Sequence, residues 1–209
     1  MRPPRTIVAM DAQTAPIDGR GARSQRTRYA IVDAWLALAG EGTVSPTARQ
    51  VAERAGVGLR TVFQHFRDLD ALALAASERQ TEKLLPLLFD IDPTRPLDER
   101  VREIAEHRSR VLEQIRPVRR AALLLEPGSE RIAGLLVEAD ELLATLVQRA
   151  FAPELAALPD ERRSAACAAV DAACCVATWD HLRRRGLSPE EASDVVAHLL
   201  RGAVRPGAV

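Results

Sequence analysis

The sequence lacks any apolar run long enough to cross a membrane. A membrane-spanning helix needs roughly 20 apolar residues in succession. The longest runs, such as AACAAVDAACCVATW, are built of small residues, and this one is interrupted by Asp171. The N-terminal patch TIVAM is too short for the core of a signal peptide. We therefore expect a cytoplasmic protein with no membrane partner.

Cysteine is also scarce, with Cys167, Cys174 and Cys175 as the only three in 209 residues. An odd number argues against a disulfide framework. Cys167 and Cys174 are seven residues apart, so they share one face of a helix. A redox switch that uses their thiols is therefore one interpretation. A cysteine in an alanine-rich helix is more often a small buried apolar side chain. The sequence predicts no metal site and no cofactor.

No segment alternates apolar and polar residues in the way that strands do, whereas apolar residues recur at helical spacing along the chain. Proline and glycine mark the helix ends. The predicted helices cover about 29–40, 47–55, 59–66, 68–85, 97–116, 117–126, 129–152, 160–185 and 188–203. The fold class that follows is all-α.

One stretch, VAERAGVGLRTVFQHF, holds two short amphipathic helices on either side of Gly56. Thr47 and Gln50 fit a capping box at the start of the first helix. Two-turn helices are marginal alone, so a braced pair of this kind indicates a helix-turn-helix. We expect Val57, Val62 and Phe66 to point inward. The outward positions of the second helix are Leu59, Arg60, Thr61, Gln64 and His65.

The segment TARQVAERAGVGLRTVFQHFRDLDAL resembles the DNA-binding signature of TetR-family transcriptional regulators, T-x-x-x-I-A-x-x-A-G-V-S-x-G-T-L-Y-x-H-F-x-x-K-x-x-L. The tail WDHLRRRGLSPEEASDVVAHLLRGAV is similar to the last two helices of that family, which usually form the dimer interface. The resemblance implies a helix-turn-helix domain at 23–67 and an effector-binding and dimerisation domain at 68–209. Residues 1–22 are expected to form a disordered basic arm, which either contacts DNA or is a solvated tail.

The chain departs from the family pattern at Gly58, Phe63 and Leu69, where serine, tyrosine and lysine are usual. The last two changes remove phosphate hydrogen bonds, so we expect phosphate contacts to shift to Arg67 and to Arg23, Arg26 and Arg28. With Arg20, the last three form a basic cluster before the motif. The residues expected to contact DNA are Arg26, Arg28, Thr47, Arg49, Leu59, Arg60, Thr61, Phe63, Gln64, His65 and Arg67. His65 is alternatively a core histidine.

Two charged residues interrupt apolar surfaces in the C-terminal part: Arg108 and Asp171. Buried charges are costly unless they are paired. Either these residues pair with each other or with other charges, or one of them faces a pocket and binds a polar group of an effector. The candidate effector-binding residues are Arg108, Asp171, Phe151 and Trp179. Phe89 is the only other aromatic residue outside 29–66, so a pocket should be mainly aliphatic and poorly suited to planar cationic drugs.

The resemblance implies a homodimeric, ligand-responsive repressor that binds a palindromic operator in double-stranded DNA and releases it when a small-molecule effector binds. The alternative is an activator or a constitutive DNA-binding protein without an effector. No nucleophile, P-loop or metal signature points to an enzyme. The helices at 160–185 and 188–203 should form a four-helix bundle across the two-fold axis, with Ala173 and Val196 at the contact.

Overall fold

The computed structural model describes residues 19–88 and 90–205. Their helices are α1 (Gly19–Gly40), α2 (Ala48–Ala55), α3 (Leu59–His65), α4 (Leu69–Leu84), α5 (Leu97–Leu125), α6 (Glu130–Ala150), α7 (Ala152–Ala157), α8 (Asp160–Cys174), α9 (Val176–Arg184) and α10 (Pro189–Val204). Two 3₁₀ turns, Leu85–Leu87 and Glu126–Gly128, follow α4 and α5. No strand occurs in these ranges, and the predicted all-α fold is confirmed. None of these helices is long and apolar enough to cross a membrane.

The first helix begins earlier than predicted. α1 starts at Gly19, so residues 19–22, expected in the disordered arm, are helical instead. The rest of that arm, residues 1–18, lies outside the described residues. The segment 19–28 contains no proline, and arginine is a good helix former. The arginines of the basic cluster therefore lie on a helix rather than on an extended arm.

The N-terminal helices share one apolar core. Its largest buried side chains are Ile31, Trp35, Val51, Val62, Phe66 and Leu72. Fully burying such side chains contributes about 1.5–3 kcal/mol each. Because Leu72 belongs to α4 and Val118 of α5 also joins the cluster, the helix-turn-helix is braced from the C-terminal part of the chain.

α5 is a single helix where two were predicted. Pro117 lies inside it and does not end it. A proline in a helix interior removes one backbone hydrogen bond and costs about 3 kcal/mol. Buried residues on both sides of Pro117, Leu112 in the C-terminal core and Val118 in the N-terminal core, hold α5 across this position. Tertiary packing therefore outweighs the local preference.

The predicted helix at 160–185 is broken instead. Cys175 is extended (φ −77°, ψ 158°) and separates α8 from α9. Its Sγ accepts a hydrogen bond from the Thr178 backbone N–H at 3.4 Å, and the Thr178 hydroxyl donates to the Ala172 carbonyl at 2.6 Å. Cys175 is thus the N-cap of α9, a role that the alanine-rich pattern did not reveal.

Candidate nucleic-acid interface and apolar cavity

The turn of the helix-turn-helix is fixed by local chemistry. Thr47 and Gln50 form the predicted capping box, with Oε1 of Gln50 2.9 Å from the Thr47 backbone nitrogen. Gly56 ends α2 in the left-handed region at φ 66°, where a Cβ would be strained. Gly58 precedes α3 and provides no side-chain cap. The two helices are therefore joined at a defined angle by three residues.

Helix α3 has one buried face and one exposed face. Val62 and Phe66 are buried as predicted, and Val57 is half-buried against the same core. Leu59 and Phe63 keep 43% and 49% of their surface exposed. Arg60 and Gln64 are exposed beside them, whereas Thr61 and His65 are half-buried. The free face of α3 thus combines polar and apolar side chains around one short helix.

Arg28 is held against the end of α3. Its Nη1 donates to the His65 carbonyl oxygen at 3.1 Å, and its guanidinium carbon lies 4.3 Å from the centroid of the Phe66 ring. Arg67, by contrast, is widely exposed and pairs with the neighbouring Asp68 at 2.9 Å. Arg26 and Arg49 are also exposed. The phosphate contacts predicted for these arginines stay predictions, and Arg28 has in addition a structural contact that the sequence did not indicate.

An apolar cavity of about 90 Å³ lies between α4, α5 and α6. Twelve aliphatic side chains line it, together with four polar residues: Ser77, Gln80, Thr81 and Arg119. Ser77 and Thr81 lie one turn apart on α4, and the Thr81 hydroxyl donates to the Ser77 carbonyl at 3.1 Å. The lining comes from three helices far apart in sequence, and none of the effector-binding candidates belongs to it.

Arg108 is buried as its position in an apolar stripe predicts, with 2% of its surface exposed. Of the alternatives that the sequence left open, the pair with Asp171 is not formed, because no ion pair joins these two residues in the described structure. Arg108 Nη2 donates to the Leu143 carbonyl instead, and Nη1 has no hydrogen-bond partner among the described residues. Burial lowers the pKa of Arg108, and Cys174 is the side chain that interacts with it most strongly. The attraction from Asp171 is weaker.

Phe151 and Trp179 are core residues. Both are completely buried. Trp179 Nε1 donates to Glu113 Oε1 at 2.8 Å, which satisfies the indole within the protein. The thiol of Cys174 is also buried, and burial raises its pKa to about 12, so it stays protonated beside Arg108. No metal-binding cluster occurs within the described ranges.

A partly buried ion pair that the sequence analysis missed joins α5 to α7. Arg100 is 3% exposed and donates from Nη1 to Glu154 Oε2 at 2.9 Å, and it also bonds the Ala150 carbonyl. The Arg100 guanidinium holds the pKa of Glu154 below its usual value. Arg100 stands one turn after Leu97 and one turn before Ile104, so helical spacing already places it at the edge of the apolar stripe.

No protein-family model matches the sequence, and no curated protein matches it. Two solved structures are similar. A transcriptional regulator from Rhodococcus sp. Rha1 is 19% identical with a TM-score of 0.63, covering 87% of this chain and 95% of that chain. The multidrug binding protein EbrR, complexed with imidazole, is 20% identical with a TM-score of 0.55, covering 82% and 93%. These likenesses show that the chain has the TetR-type fold that its signature predicted.

Proposed function

We propose that the chain is a TetR-family transcriptional repressor that binds a palindromic DNA operator as a homodimer and releases it when a small molecule binds. The observation that carries this proposal is the free face of α3. Leu59, Arg60, Phe63 and Gln64 are exposed on a seven-residue helix whose opposite side, Val62, is 1% exposed. A short helix anchored by one face can enter the major groove with the other.

The side chains of that face match the chemistry of base edges. Arg60 suits the two acceptors of guanine, and Gln64 suits the donor and acceptor of adenine. Leu59 and Phe63 can pack against thymine methyl groups. Around them, the residues assigned to the DNA backbone are Arg26, Thr47, Arg49, Thr61, His65 and Arg67, with Arg28 supporting α3 from behind. Such a regulator works in the cytoplasm, needs no cofactor and catalyses no reaction.

A homodimer suits this chemistry because one helix of seven residues reads few base pairs. Two-fold symmetry places two recognition helices in successive major grooves. Ala173 and Val196, predicted at the dimer contact, are instead 4% and 0% exposed inside the protomer. Other side chains of α8 and α10 point to solvent. The exposed small and apolar residues of α8 and α10 that we assign to the dimer contact are Ala165, Ala168, Ala169, Ala172 and Leu199.

The coupling element is α4, because it belongs to both sites. Its first half contributes Leu72 and Ala76 to the core beneath the recognition helix, and its second half lines the cavity with Thr81 and Leu84. Ile31 of α1 and Leu72 of α4 belong to the same buried core, so a displacement of α4 also moves α1. A ligand that prefers a wider cavity would shift the population toward a state in which the two recognition helices no longer match the operator.

Selection of bound fragments from a random DNA pool by the purified chain tests the proposal. We expect enrichment of a pseudo-palindrome whose half-sites lie about one helical turn apart or slightly more. Enrichment of no sequence would contradict it. Repeating the selection and thermal melts with small molecules separates a ligand-responsive repressor from the alternative, an activator or constitutive DNA-binding protein, which would keep its operator under every condition.

A further inference from the structure

The cavity between α4, α5 and α6 is lined mainly by aliphatic side chains. Its apolar wall consists of leucine, valine, isoleucine and alanine side chains. Among the described residues, neither a carboxylate nor an aromatic ring belongs to the lining. Cationic ligands are normally held by one or both of those groups. The cavity is therefore poorly suited to an ammonium or a planar cation and well suited to an alkyl chain.

Two of the polar lining residues are already engaged. The Thr81 hydroxyl donates to the Ser77 carbonyl, and Gln80 Nε2 donates to the Gln114 carbonyl at 3.4 Å. The other two have buried atoms without a hydrogen-bond partner in the described structure, namely Ser77 Oγ and Arg119 Nε. Ser77 is 8% exposed and lies on α4, whereas Arg119 lies on α5. A buried polar group left unpaired costs about 1–3 kcal/mol.

Both unpaired groups can donate a hydrogen bond, so together they require an acceptor. The remaining guanidinium nitrogens of Arg119 bond the Leu136 carbonyl and Asp140. Asp140 is itself 47% exposed, so solvent screens its attraction for Arg119. A buried carboxylate that reached Arg119 Nε would make a charge-assisted hydrogen bond in a less screened environment.

We infer that this cavity binds a short aliphatic carboxylate, with its alkyl chain against the leucines and its carboxylate oxygens accepting hydrogen bonds from Ser77 Oγ and Arg119 Nε. A cavity of about 90 Å³ holds on the order of six to nine water-sized groups, which corresponds to an acid of about six carbons. This inference deepens the proposed function, because it gives the chemical class of the effector.

Calorimetric titration of the purified full-length chain with hexanoate, hexanol and hexylamine tests the inference. Hexanoate should bind at least tenfold more tightly than hexanol, and hexylamine should not bind. Hexanol binding as tightly as hexanoate would overturn the carboxylate assignment. Binding of hexylamine, or no binding of hexanoate, would overturn the whole inference.

Three variants locate the site. Ser77→Ala should weaken hexanoate binding about tenfold while the melting temperature of the free protein stays the same or rises, because the lost hydroxyl has no partner. Ala139→Leu, which fills the cavity, should abolish binding. The matched control is Ser193→Ala, a half-buried serine on α10 outside the cavity, and it should change neither quantity. Unaltered hexanoate affinity in both cavity variants would place the ligand elsewhere and overturn the inference.

These titrations contain no DNA, so their outcome is independent of operator binding. A chain that selects a palindrome but ignores hexanoate would keep the proposed function and lose this inference. If the chain binds hexanoate but selects no DNA, the ligand assignment stands and the proposed function is contradicted.

Discussion

The Arg28 guanidinium stacks on the Phe66 ring and donates to the His65 carbonyl oxygen at 3.1 Å. Carbonyl groups in the last turn of a helix lack intrahelical partners, and positive charge there is favourable. Arg28 therefore joins the middle of α1 to the C-terminal end of α3. In the proposed function, its role is to fix the orientation of α3.

Replacing Arg28 by methionine should weaken specific operator binding about tenfold and leave the salt dependence of binding unchanged. Methionine keeps an apolar stem over Phe66 but loses both the charge and the donor to His65. The matched control is Arg26→Met on the exposed side of the same helix. That change should weaken all sequences alike and reduce the slope of log K against log salt by about 0.9. Titrations at several salt concentrations measure both, and a reduced slope for Arg28→Met would show a phosphate contact instead.

Two buried arginines on α5 should respond in opposite ways to the same substitution. Arg100→Met leaves the Glu154 carboxylate without its partner and should lower the free energy of unfolding by about 3 kcal/mol. Arg108→Met removes a guanidinium whose Nη1 has no described partner, and should leave stability unchanged or raise it by about 1 kcal/mol. Urea unfolding of both variants checks this. Equal losses in both would contradict the view that Arg108 lacks an anionic partner.

The Glu154 carboxylate makes stability depend on acid pH. Its pKa is lower in the folded protein than in the unfolded chain, chiefly because of the hydrogen bond from Arg100. The stabilisation is therefore complete above the unfolded pKa of about 4.3 and is lost as pH falls through the folded pKa. Urea unfolding between pH 7 and pH 3 should show a smaller decline for Glu154→Gln than for the wild type. Parallel declines would mean that this pair does not set the acid sensitivity.

Dimerisation is tested on the exposed surface of α10. Leu199 is 43% exposed in the protomer, so Leu199→Glu should leave the protomer folded and place a charge in the proposed contact. We expect sedimentation to give a monomer and operator affinity to fall at least a hundredfold. Leu124→Glu, at a leucine that is 62% exposed on α5, is the matched control and should stay dimeric. A wild-type monomer at micromolar concentration would contradict the proposed assembly.

Local signals in the sequence predicted the helix-turn-helix well. Thr47, Gln50 and Gly56 each act through neighbours within four residues, so their spacing was enough to place α2 and α3. At Pro117 and Cys175 the predicted helix boundaries are wrong, because the determining contacts were not visible in the local pattern. The helix through Pro117 is maintained by packing against other helices, and the break at Cys175 depends on a side-chain cap within an alanine-rich run.

The set of residues that lines the cavity between α4, α5 and α6 could not be predicted from the sequence, because these residues come from different helices. The sequence indicated correctly that Arg108 is buried and that a pocket would be aliphatic. It did not indicate that Ser77 and Arg119 would line that pocket, since their α4 and α5 positions are related only by packing. It also suggested Asp171 as the partner of Arg108, although the structure gives Arg108 a backbone carbonyl of α6.

DNA selection with the wild-type chain and with Arg60→Ala, side by side, tests the central claim that the free face of α3 reads bases. Arg60 is exposed on that face and has no structural contact that its loss would disturb in the described residues. The account predicts a shared pseudo-palindrome in which the variant loses preference at one base position of each half-site, at a cost of about 1–3 kcal/mol. An identical motif bound with unchanged affinity by Arg60→Ala would contradict the account.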